Sequence, residues 1–188
     1  MPVTSALAPV PELGEVTVPL SSFIQPAHRH YFTGRPERPN YRLRRYTFAG
    51  TPAVLPLVRA FLDTCAANQG SDYRYLFTLL GSELAGNAIR HSLSGHPGGT
   101  YSLLVHRTTE GLHLACRDLG GLQDKDSHLA PNSGGLNLSA ESGRGLAIVD
   151  ALSTAWGDNG NAEHRTVWFY LAYDLTNSQW DNTTDSGN

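Results

Sequence analysis

The sequence predicts a two-layer α/β sandwich, with a mixed, mostly antiparallel sheet and its helices on one face. Three observations predict it. Alternating, β-prone stretches occur at residues 41–49, 101–108, 112–118 and 163–173. Apolar residues recur at helical spacing within residues 52–69, 72–92 and 146–152. The resulting order is strand, helix, helix, hairpin, long connection, helix, strands. Elements grouped in this way, rather than strictly alternating, argue against a doubly wound parallel sheet.

The 188 residues fit one domain with tails. A hydrophobic fraction of 40% with 16% charged residues is a globular composition. The net charge of -3 gives no reason to expect a nucleic-acid or anionic-membrane partner. Cys65 and Cys116 are far apart and both lie in apolar segments. They are expected to be reduced, buried thiols. No apolar run is long enough to cross a bilayer, and the first residues lack the layout of a secretory signal. The expected location is therefore cytoplasmic.

Residues 1–40 carry seven prolines and little periodicity, and are expected to form a flexible or loosely docked arm, with one short strand near residues 16–20. His28 and His30 lack a second ligand cluster, so a solvated basic patch is expected there rather than a metal site. Residues 41–49 are the first strand. Thr51 and Pro52 resemble an N-cap and a first helical position, followed by Leu55, Val58, Leu62 and Cys65 at helical spacing. That helix should end before Gly70, and Ser71 or Asp72 should cap the next. Residues 101–118 read as an antiparallel hairpin, with Leu112, Leu114, Cys116 and Asp118 on one face. Residues 122–142 turn to Gly, Ser, Asn and Asp without a period, as lids and binding loops often do. A helix should follow Gly145, then a strand starting near residues 153–156 and a final strand at 163–173. From Asp174 to residue 188 a disordered tail is expected.

The helix over residues 72–92 holds the best chemical candidates. Glu83, Asn87 and His91 lie at i, i+4 and i+8, inside the arc spanned by Leu76, Leu80 and Leu84. A carboxylate and a carboxamide in an apolar stripe are costly unless something satisfies them. They either hydrogen-bond within the core or line a pocket for a polar ligand. Glutamate accepts protons from hydroxyls, and an asparagine carbonyl suits a hard divalent cation. Arg90 suits a phosphate or plain solvent; His91 suits the site or the last helical turn. Gly143-Arg144-Gly145-Leu146 fits a helix start that admits an anion, or a bland entry turn. Asp118 with Gly120 fits a carboxylate closing a pocket on an exocyclic amine, or a simple turn.

In order along the chain, Glu83 to His91 (ELAGNAIRH), Asp118 to Gly121 (DLGG) and Gly143 to Val149 (GRGLAIV) resemble the N box and the two glycine boxes of the GHKL, or Bergerat-fold, ATPases. The nearest likeness is to the anti-sigma regulatory factors, the switch-protein serine kinases with a histidine-kinase-like ATPase domain. The run ESGRGLAIVDAL and the closing TVWFYL strengthen it. The resemblance covers about residues 42–173, and so implies an ATPase domain over 41–173. It implies ATP and Mg²⁺ as cofactors, with Asn87 holding the metal and Glu83 as general base. It implies that Asp118 binds the adenine amine, with Gly120 beside the ring and Thr166 nearby. Gly143, Arg144, Gly145 and Leu146 would meet the phosphates, with Arg90 and His91 lining the site. It implies serine/threonine protein kinase activity on a STAS-type anti-anti-sigma partner, binding of a sigma factor, and a homodimer. Two other functions are open: a non-catalytic nucleotide-binding module that sequesters a regulator, and an ATPase that attacks water. The sequence departs from the family in lacking a proline soon after DLGG and in placing Gly86 within the helix.

Overall fold

The structure, a computed structural model, describes residues 24–35, 41–121, 128–129 and 144–176. Five strands form one sheet: β1 (Leu43–Ala49), β2 (Thr100–Arg107), β3 (Gly111–Arg117), β4 (Ala155–Asp158) and β5 (Thr166–Ala172). Their spatial order is β1-β2-β3-β5-β4, and every neighbouring pair is antiparallel. The sheet is thus uniformly antiparallel among the described strands, where some parallel pairing was expected. Three helices, α1 (Leu55–Cys65), α2 (Ser71–His91) and α3 (Arg144–Leu152), make the second layer.

Period-two alternation builds the interface between the layers. Phe48, Tyr101, Leu103, Val105, Leu112, Leu114, Cys116, Val167, Phe169 and Leu171 point inward and are buried. They meet Val58, Phe61 and Leu62 of α1 and Leu76, Phe77, Leu80 and Leu84 of α2. Each fully buried Leu or Phe contributes about 1.5–3 kcal/mol. Both cysteines are buried and free. Burial pushes the Cys65 thiol up to about 12, so it is held as an unreactive thiol.

Helix starts differ slightly from the sequence reading. Thr51 is extended and makes no side-chain cap, and Pro52–Val54 form a single 3₁₀ turn before α1 begins. Gly70, rather than Ser71 or Asp72, occupies the N-cap of α2. Helix α3 starts at Arg144, so Gly145 belongs to its first turn. β4 starts within the expected residues 153–156, and β5 starts three residues later than expected.

Helix α2 is tied to the sheet at both ends. At its start the Tyr73 hydroxyl donates to Leu171 O at 2.7 Å and accepts from Leu112 N at 3.2 Å. Just past its end Leu93 N donates to Gly120 O at 2.7 Å.

The described part of the arm packs on β1 and α1. A 3₁₀ helix, Pro26–Tyr31, leads to Phe32, whose ring meets Tyr46 edge-on at 4.9 Å. His28 stands edge-on to Tyr46 at 5.8 Å, and both His28 and His30 are half-buried. The expected solvated patch is therefore part of an aromatic cluster. No group of three or more metal-ligating side chains occurs among the described residues. The expected strand at residues 16–20 and the tail beyond residue 176 lie outside the described residues.

Candidate functional site

Helix α2 carries Glu83 and Asn87 one turn apart, both half-buried, on the side that meets α3. The close approach depends on Gly145. A Cβ added there would lie 2.8 Å from Glu83 Oε2 and 3.2 Å from both Nδ2 and Oδ1 of Asn87. The first turn of α3, where backbone N–H groups lack helical acceptors, therefore opens beside these two side chains.

The two side chains differ in how they are satisfied. Asn87 Oδ1 accepts a hydrogen bond from the Arg90 guanidinium at 3.2 Å. An amide oxygen has two lone pairs, so a second partner can bind it. Glu83 makes no hydrogen bond or ion pair among the described residues. A half-buried carboxylate without a donor is costly in an apolar setting. The core hydrogen-bonding alternative for Glu83 therefore finds no support among these residues. Gly86 faces the Arg90 guanidinium, with an added Cβ at 3.2 Å from Nη1, so the helix glycine lets Arg90 fold back towards Asn87.

Asp118 follows β3 directly and is buried, as the face pattern predicts. Its Oδ1 accepts from Gly120 N at 2.7 Å. Gly120 has φ +64°, and an added Cβ would stand 1.8 Å from Ala162 O. Only glycine fits there. Leu119 N donates to Ser94 Oγ at 3.0 Å, while Ser94 Oγ donates to Thr100 O at 2.8 Å. Ser94 is fully buried, and it joins the end of α2 to the turn at Asp118. Asp118 also adds to the burial that raises the Cys116 thiol well above its ordinary range.

The other candidates fall as follows. Leu146 is half-buried on α3, packed at the edge of the core. Thr166 opens β5 opposite Arg117, one residue from Asp118. His91 ends α2 and is exposed. Gly143 and the Arg144 side chain lie outside the described residues.

Sequence reasoning missed a second polar group. The Asp158 side chain, 2% exposed, takes His128 Nδ1 at 2.6 Å, Arg165 Nη1 at 3.0 Å and Leu129 N at 3.1 Å. Arg165 O in turn accepts from Asp118 N at 2.9 Å. Residues of the long connection are thus pinned to the hairpin that supports Asp118. No spacing rule flags this group, because its members come from the β4–β5 hairpin and from residues 128–129, far apart in the sequence.

Residues 48–170 match the histidine kinase-like ATPase domain. The chain belongs to that family. The match takes in both Glu83 and Asn87, the turn at Asp118 and the whole of α3. Membership makes this ATPase domain an ATP-binding one, with ATP-dependent phosphoryl transfer as its general chemistry. A search of curated proteins returns no match. No helix among the described residues is long and apolar enough to cross a membrane.

Proposed function

We propose that this ATPase domain is a regulatory serine kinase of the anti-sigma type. It would transfer the γ-phosphoryl group of ATP to a serine of a STAS-type partner and hold a sigma factor in the alternative state. The observation that carries the proposal is Glu83: a half-buried carboxylate without a donor among the described residues, set against Asn87 and the first turn of α3.

Each residue then has a task. Asp118 would accept from the adenine amine, with Gly120, packed against Ala162 O, shaping the turn that holds it beside the ring and Thr166 nearby. The N–H groups around Gly145 and Leu146 receive phosphate oxygens, and Arg90 adds positive charge. Mg²⁺, when bound, offsets phosphate charge, and the donor set fits it, since Asn87 Oδ1 retains a free lone pair for a hard cation. Glu83 takes the proton of the serine hydroxyl as its oxygen bonds to the γ-phosphorus. The bond to the β–γ bridging oxygen breaks, and ADP leaves with that electron pair.

Radiolabelled ATP incubated with the chain and candidate STAS proteins tests the proposal. Asn87→Ala should abolish Mg-ATP binding by calorimetry. Glu83→Ala should retain binding and lose label transfer. Binding without label on any partner would support the non-catalytic module instead, and phosphate release without a protein substrate would support attack on water.

A further inference from the structure

The described helices cover one face of the sheet. On the other, outward side chains from neighbouring strands line up in register. His106 lies directly opposite His113, and the His113 ring stacks on Trp168 at 5.2 Å and 24°. Trp168 lies over Gly157, whose missing side chain makes room for the indole; an added Cβ would sit 3.0 Å from it. Leu43, 60% exposed, ends the same row as the two histidines. Arg45 and Arg117 are exposed on this face, and neither has a hydrogen-bonded or ion-paired partner among the described residues.

The charge on this face is one-sided. No outward position of the five strands is Asp or Glu. Yet the chain as a whole has a net charge of -3. The sheet thus gathers cations and aromatic area on the one surface that the described helices leave open, in an acidic protein.

We propose that the outward sheet face docks an acidic segment of a partner protein. Its carboxylates pair with Arg45 and Arg117, and an apolar or aromatic side chain lies on the Trp168–His113 stack. Strand spacing puts the two arginine positions roughly 12 Å apart, within reach of one short segment. Charge complementarity selects this occupant. A second copy would bring arginines against arginines. A nucleic acid calls for a far more basic protein than one with a pI near 6.2. The face lies across the sheet from Glu83 and Asn87, so the inference stands apart from the nucleotide reading.

The test uses the full chain and a labelled random glutamate–tyrosine copolymer, followed by fluorescence anisotropy. The copolymer should bind, with affinity falling as salt is added. The double variant Arg45→Glu/Arg117→Glu should weaken it by roughly tenfold or more, with an unchanged circular dichroism spectrum. If the reversal unfolds the chain, Arg45→Gln/Arg117→Gln serves, with a smaller loss in the same direction. Absence of binding, or equal binding by the variants, overturns the proposal. So does preferential binding of oligothymidylate lost in the same variants. So does a dimer in sedimentation that the double variant converts to monomer.

Discussion

At Gly145 a missing side chain sets the distance between two helices. Its Cα hydrogen faces the Glu83 carboxylate and the Asn87 amide, where a methyl group would stand 2.8 Å from one and 3.2 Å from the other. Gly145→Ala should therefore push α3 away from α2 or displace both polar side chains, at about 1–3 kcal/mol. Nucleotide affinity should fall more than thermal stability does. Parallel titration calorimetry and thermal melts check this; a variant that loses stability but keeps its affinity for ATP would remove Gly145 from the site. Glu83 and Asn87 were legible in the sequence because polar residues inside an apolar stripe break a pattern. Asp118 was legible for a related reason: it prolongs the buried register of β3 by one step. Ser94 and Asp158 break no pattern. Ser94 follows a helix among turn-forming residues, and Asp158 gains its partners only when the β4–β5 hairpin and residue 128 meet.

At the scale of elements, α2 touches both other helices and three strands, β2, β3 and β5. It is buried against α1, α3 and the sheet, so its buried residues spread well beyond one narrow stripe. Gly81 marks a tight contact, with an added Cβ 2.6 Å from Leu62 Cδ1 and 2.9 Å from Leu114 Cδ2. Gly81→Val should destabilise the domain by about 1–3 kcal/mol through overpacking. Gly81→Ala should cost less, because alanine regains about 1 kcal/mol of helix propensity. Urea denaturation of both variants checks the order; equal stabilities would show that Leu62 and Leu114 yield without cost. Periodicity located four of the five described strands and the three described α-helices, and gave no signal for the alternation-poor β4. It missed boundaries where backbone chemistry, not side-chain pattern, decides: the 3₁₀ turn after Thr51 and the first turn of α3. It also misread His28 and His30, since Tyr46, which stands against His28, comes from β1, and Phe61 of α1 backs the Tyr31 ring that both histidines meet.

For the whole molecule, the outward sheet face links stability to pH. Burial beneath its neighbours, and then the charge of His106 opposite, hold the His113 imidazole below its ordinary range. The unfolded chain therefore takes up the proton first. Stability from this group is complete above the ordinary histidine pKa and declines as pH falls from there through the lowered folded value. The groups facing it are His106 on β2 and Trp168 and Tyr170 on β5, with no carboxylate at an outward strand position to offset the proton. His113→Gln should flatten the loss of thermal stability between neutral and mildly acidic pH. An unaltered pH profile would show that other groups govern it.

Tyr73 and Leu93 together bolt helix α2 to the sheet at either extremity. Glu83 and Asn87 ride on a fixed beam that cannot pivot without breaking bonds to β3 or β5. Across from them α3 packs Ala147 and Val149 into the interior, and at its far end Asp150 accepts from Trp156 Nε1 at 2.7 Å. Any adjustment between the two helices therefore starts from a fixed α2, and Glu83 and Asn87 keep their spacing throughout.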